Sequence, residues 1–192
     1  MDVRPQPASA GEDDPRWRSA TQRAKAETGI IFAVFALYTA FLLRLLLFSR
    51  APGSERSLNL IPFASIAEIV SSHSSGTGRV AFANIAGNIL IFIPLGFYVS
   101  WLRQRAAAWT TMLTVAVASA AVEVIQGVLA VGASDIDDVI LNSVGGMLGV
   151  VAFRLLSATV RGQSLVRTAM AVVSVVTLPV WCYFFFVLRL HL

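Results

Sequence analysis

Apolar residues run along this chain in five long blocks, Gly29–Phe48, Ala81–Leu102, Ala108–Val131, Val139–Ala158 and Thr168–Leu188. Each approaches the ~20 residues that a helix needs to cross the hydrocarbon core of a bilayer. The pattern predicts an all-α fold, a polytopic transmembrane helical bundle of about five spans. Three connections are short, which favours antiparallel neighbours. The fourth, Ser49–Val80, is long. Within it, Ser65 and Glu68 stand at capping-box spacing ahead of Ile69 and Val70, predicting a short interfacial or re-entrant helix with Asn59 and Pro62 at its start. Ser71–Gly78 reads as linker, and His73 within it as solvated. Pro94 removes a backbone hydrogen bond from the second span and is expected to kink it. No useful internal repeat is visible.

Residues 1–28 are different material: five acidic and five basic residues, with Pro5, Pro7 and Pro15 among them. They read as a disordered tail. The stretch is too long and too acidic for the n-region of a cleaved signal, so the first span is expected to act as a signal anchor.

Composition supports the membrane reading. Of 192 residues, 56% are hydrophobic and 14% charged, and the mean hydropathy is +0.72. A soluble domain carries about a quarter charged residues, and one core of this size cannot hide so much apolar surface. The single cysteine, Cys182, excludes an intrachain disulfide framework and a cysteine-based zinc site.

The isoelectric point near 10.0 raises the question of nucleic acid until the basic residues are placed. With a cytoplasmic N-terminus, ten lie inside (Arg4, Arg16, Arg18, Arg23, Lys25, Arg103, Arg105, Arg154, Arg161, Arg167) and four outside (Arg50, Arg56, Arg79, Arg189). That bias reads as an orientation signal, so no nucleic-acid partner is expected. Trp101 and Trp109 flank a turn on the same cytoplasmic side. The C-terminus is then extracytoplasmic.

The polar residues inside the spans gather at one depth. Arg44 lies near the outer end of span one, Asn84 and Asn88 open span two, and Glu123 with Gln126 occupies the outer half of span three. Asp135, Asp137 and Asp138 stand at the mouth of span four, with Asn142 one turn deeper. All fall within about 12 Å of the outer surface at 1.5 Å per residue. Asn84 and Asn88 share a helix face at i, i+4, as Glu123 and Gln126 do at i, i+3. Polar groups in hydrocarbon point at each other or at a water-filled cavity, so these stripes predict one cluster with Arg44 as countercharge. Two readings compete: a ligand pocket, or a structural network in which Asp135 or Asp137 caps span four. Gly145 with Gly149, and Ala83 with Gly87, offer small faces for close helix packing.

Several of these blocks resemble a known family. Asn59-Leu-Ile-Pro-Phe63, Asn84-Ile-Ala-Gly-Asn-Ile-Leu-Ile-Phe-Ile-Pro-Leu-Gly96, Glu123-Val-Ile-Gln126 and Asp135-Ile-Asp-Asp-Val-Ile-Leu-Asn142 look like the signature blocks of the VanZ-like family, in its order. Arg44 falls where that family has an arginine near the end of its first helix. One departure stands out: members often carry an arginine shortly before the first aspartate, where this chain has Gly132-Ala-Ser134. The resemblance implies a small multi-pass protein of the bacterial cytoplasmic membrane, related to one associated with low-level teicoplanin resistance. On this reading residues 29–158 form the VanZ-like transmembrane domain. Residues 159–192 add a cytoplasmic connection and a further helix whose role is packing.

The function expected is non-enzymatic: an outward-facing pocket of Arg44, Asn59, Asn84, Asn88, Glu123, Gln126, Asp135, Asp138 and Asn142 that takes a lipid-linked cell-wall precursor or a glycopeptide. Membrane lipids are the surrounding partners, and self-association into a homo-oligomer stays open. The alternative is an intramembrane enzyme acting on a lipid headgroup. There Glu123 serves as general base, and Asp135, Asp137 and Asp138 are candidate ligands for Mg²⁺, whose hard oxygen preference they match. Against it, no serine, cysteine or histidine stands in a nucleophile–base arrangement, and no cofactor is otherwise expected. A transporter fits least, because the polar residues are confined to one half of the bilayer.

Overall fold

The structure, a computed structural model, describes residues 15–48, 58–64, 66–67, 77–129 and 134–187. Its helices are α1 (Pro15–Phe48), α2 (Thr77–Leu102), α3 (Ala108–Leu129), α4 (Ile136–Thr159) and α5 (Gln163–Val187). All five are long and apolar enough to cross a membrane. Two short extended pieces, β1 (Leu58–Asn59) and β2 (Ser134–Asp135), pair in parallel, Leu58 with Ser134 and Asn59 with Asp135. Among the described residues the secondary structure is helical, apart from this clasp between two connections at one end.

Residues 15–28, expected within a disordered tail, are helical. Pro15 suits the first position of α1, where its missing N–H costs nothing. The alanines at 20, 24 and 26 favour the helix. Arg23 Nε donates to Glu27 one turn on, at 2.9 Å, and Glu27 also accepts from Arg167 Nε at 3.1 Å and Thr168 Oγ1 at 2.8 Å on α5. Hydropathy registers where apolar residues end, whereas the helix continues on polar contacts. Residues 1–14 lie outside the described residues, as do Ser65, Glu68 and His73. The expected capping box and most of the Ser71–Gly78 linker therefore cannot be placed, but Thr77 and Gly78 already belong to α2.

The tightest pairing is between α2 and α4, and glycines create it. A Cβ at Gly145 would lie 2.1 Å from the Ile89 carbonyl oxygen, and one at Gly149 would lie 2.0 Å from that of Ile93. Gly96 returns the contact, its Cβ position 2.0 Å from the Gly146 carbonyl oxygen. Backbone rests on backbone, an approach that small residues permit between membrane helices. The expected Gly145–Gly149 face is used in this way, whereas Gly87 meets nothing within 4 Å.

Aromatic side chains join α1, α2 and α5. Tyr38 and Trp181 meet edge to face at 5.0 Å between ring centroids, and Phe35 lies 5.0 Å from Tyr98. The Tyr38 hydroxyl donates to the Ile91 carbonyl at 2.6 Å, close to Pro94, which sits within the continuous α2. Tyr98 and Ser174 share a hydroxyl hydrogen bond of 2.9 Å. The outward faces are apolar, with Val128 73% and Val176 69% exposed. In water such a surface would associate; in a bilayer it is a lipid contact.

Candidate functional site

One end of the bundle brings together the C-terminal ends of α1 and α3, the N-terminal ends of α2 and α4, and the β1–β2 clasp. The predicted polar residues meet here, but they divide into three groups with different work.

The first group fastens the long connection to α4. Asp135 caps α4, its side chain accepting from the Asp137 backbone N–H at 2.9 Å, an N-cap arrangement. The same Asp135 oxygen accepts from Asn59 Nδ2 at 3.1 Å, and Asn59 Oδ1 accepts from the Ile61 N–H at 3.1 Å. The chain then turns at Pro62-Phe63, with Phe63 in the left-handed region at φ 66°. Such a conformation is strained for a bulky residue. Asp137 holds that turn: its two carboxylate oxygens accept from the Phe63 N–H at 2.5 Å and the Ile66 N–H at 3.2 Å. Ala64, Ile66 and Ala67 are helical; the rest of the short helix expected here lies outside the described residues. Asp137 is 1% exposed. Glu123, 6% exposed on α3, accepts from the Asp135 backbone N–H at 3.0 Å.

The second group lines a cavity of about 230 Å³. Asn84 and Asn88 from α2, Gln126 from α3 and Asp138 from α4 supply its polar wall, and Leu45 and Leu46 of α1 an apolar one. Asn88 Nδ2 donates to Asp138 Oδ1 at 2.5 Å. Gln126 Nε2 donates to the Leu46 carbonyl at 2.6 Å. Asn84 and Asn88 thus share one wall, as their spacing predicts. Ala83 and Gly87, expected to pack against a neighbouring helix, line this cavity instead. Arg44, half-buried, precedes the two lining leucines.

Asn142 stands apart. It is 2% exposed, and its Nδ2 donates to Ser119 Oγ at 2.9 Å between α4 and α3. Ser119 was not singled out from the sequence, although it shares a helical stripe with Glu123 and Gln126, at i, i+4 and i+7.

The single cluster expected from depth is therefore resolved into a clasp, a cavity and a buried pair. The difference has a physical reason. Depth and helical face place a side chain, but backbone N–H groups also draw on these acceptors: those of Phe63 and Ile66 on Asp137, that of Asp137 on Asp135 and that of Asp135 on Glu123. Among their hydrogen bonds, Asp135 accepts from Asn59 and the Asp137 N–H, Asp137 from the Phe63 and Ile66 N–H groups, and Asp138 from Asn88. Among the described residues, no group of three or more His, Cys, Asp or Glu side chains is placed to hold a metal ion.

A VanZ/LLP1 family model matches residues 35–157. The chain belongs to the VanZ/LLP1 family. Protein VanZ of Enterococcus faecium is 34% identical over 129 residues, covering 64% of this chain and 72% of that protein. No solved structure matches. The VanZ/LLP1 segment contains the clasp, the cavity and the buried pair in full. The first part of α1 and all of α5 lie outside it, so the Glu27–Arg167 contact joins two elements that flank the VanZ/LLP1 core.

Proposed function

We propose that this bacterial membrane protein receives a lipid-linked cell-wall precursor or a lipoglycopeptide in the cavity between α1, α2, α3 and α4, and thereby influences susceptibility to teicoplanin. On this reading the N-terminus is cytoplasmic and the cavity opens toward the extracytoplasmic leaflet, the orientation favoured by the distribution of arginine and lysine. The observation that carries the proposal is the cavity itself. Three helices supply amide and carboxylate groups to one wall, and two leucines of a fourth supply another. A headgroup can exchange hydrogen bonds with Asn84, Asn88 and Asp138, while its chain remains in the lipid beside α1.

The geometry favours binding over catalysis at Glu123. A general base must reach a substrate proton, and Glu123 is buried with a backbone N–H of the clasp on its carboxylate. It acts as a structural acceptor that sets where α4 begins.

Gly87→Leu tests the proposal. Gly87 lines the cavity and a Cβ there meets nothing within 4 Å, so the leucine side chain is directed to fill the cavity. Cells producing the native chain are expected to differ in teicoplanin susceptibility from cells lacking it. Cells producing Gly87→Leu at the same level should match the cells that lack it. A variant as effective as the native chain would remove the cavity from the function.

A further inference from the structure

The opposite end of the bundle holds a second polar cavity, of about 310 Å³, which the proposed function does not use. It is bounded by the C-terminal ends of α2 and α4 and the first turn of α3. Its wall includes Ser100, Arg103, Thr111, Phe153, Arg154 and Ser157. Ser100 lies in the last turn of α2 and Arg103 in the turn just beyond it, and Phe153, Arg154 and Ser157 follow one stripe of α4. Arg103 from the turn after α2 and Arg154 from α4 thus line one space.

Three observations bear on what that space accepts. No acidic residue lines it, and among the described residues neither arginine has a carboxylate partner; their hydrogen bonds go to neutral oxygens. Arg103 Nη1 donates to the Thr110 carbonyl at 3.5 Å and to the Thr114 hydroxyl, and Arg154 Nη2 donates to the Ala106 carbonyl at 3.2 Å. A guanidinium has five N–H donors in a fork suited to phosphate, so both forks keep donors for a ligand. Second, the Ser157 hydroxyl is buried and has no hydrogen-bond partner among the described residues. Buried polar groups are seldom left so, because an unmade hydrogen bond is costly. Third, Thr111 in the first turn of α3 completes the wall, near the positive end of that helix dipole.

We propose that this cavity is a phosphate-binding site, with Arg103 and Arg154 clamping the anion and Ser157 donating its hydroxyl to it. At a helix end in a membrane protein, the phosphodiester of an anionic phospholipid and free inorganic phosphate share this chemistry. Arginines at helix C-termini also complement the dipole and reach toward the interface with no ligand at all. The experiment separates these cases.

The full chain, purified in a neutral detergent, is titrated with phosphatidylglycerol, phosphatidylcholine or inorganic phosphate, and its thermal midpoint is followed. Phosphatidylglycerol is expected to raise the midpoint and phosphatidylcholine to leave it unchanged. An equal rise with inorganic phosphate identifies the free anion as sufficient. Arg154→Gln should weaken the apparent affinity about tenfold, the size of one lost charge-assisted hydrogen bond. Arg103→Gln should do the same, and Arg105→Gln, at an exposed position outside the cavity wall, should retain native affinity. If an arginine variant fails to fold, Ser157→Leu, which fills the cavity and keeps both charges, should abolish the rise. No rise in the native chain, or equal losses in Arg105→Gln and Arg154→Gln, would overturn the site in favour of diffuse surface charge.

Discussion

Asp137 concentrates the residue-scale logic of this protein. A carboxylate in an apolar setting is costly unless hydrogen-bonded, and its partners are the Phe63 and Ile66 N–H groups of a connection more than seventy residues earlier in sequence. Asp137→Ala removes both acceptor oxygens and should destabilise the clasp by about 3 kcal/mol, as hydrogen bonds to a charged group contribute 1.5–3 kcal/mol each. Hydrogen exchange should accelerate at Phe63 and Ile66 while the amides of α2 keep their protection. Unchanged exchange there would show that the turn stands without Asp137. The identity of the polar residues was legible in the sequence, because amides and carboxylates inside apolar spans are conspicuous. Their partners were not. A cap by Asp135 or Asp137 is expected from the sequence, and Asp135 provides it. Nothing in the spacing of the three aspartates, however, says that Asp137 holds a distant turn or that Asp138 meets Asn88.

At the scale of elements, the five apolar blocks are five helices, and the departures fall at their ends. α1 begins fourteen residues before its apolar block, at Pro15 instead of Gly29. Polar helix formers and the Glu27 contacts to α5 carry it onward, and hydropathy is blind to both. α5 likewise starts at Gln163, ahead of its apolar block. The Gly145–Gly149 spacing announced close packing correctly, whereas the similar Ala83–Gly87 pair opens onto the cavity. Small residues permit approach, and only the neighbouring helix decides whether it happens. A matched comparison follows. Gly149→Ala sets a Cβ 2.0 Å from the Ile93 carbonyl oxygen and should cost about 3 kcal/mol or more, the upper end for overpacking. Gly87→Ala should be neutral within about 0.5 kcal/mol, or slightly stabilising, as a helical glycine replaced by alanine in open space. Reversible unfolding in mixed micelles measures both, and equal costs would contradict the described α2–α4 contact.

For the whole molecule, the two ends differ in chemistry. The end with the clasp gathers carboxylates and amides; the other gathers Arg103, Arg154, Arg167 and Trp101, which suits a cytoplasmic face. In a Cys182→Ser background, Gln104→Cys should resist a membrane-impermeant thiol reagent in intact cells and react once the membrane is opened. Labelling in intact cells would invert the topology and with it the leaflet assigned to the cavity. On the proposed reading the same polarity separates the ligand cavity from the two-arginine cavity, one at each end of the bundle. Between them runs the glycine-packed α2–α4 pair, which spans about 24 Å from Asp138 to Arg154 at 1.5 Å per residue.

Native mass spectrometry of the purified chain, presented with a lipid-linked cell-wall precursor or with teicoplanin, tests the central claim directly. One bound precursor or glycopeptide per native chain is expected, retained in Arg154→Gln at the far end and lost in Gly87→Leu and Asn88→Leu. Binding that survives when the cavity is filled, or no binding to the folded native chain, would contradict it.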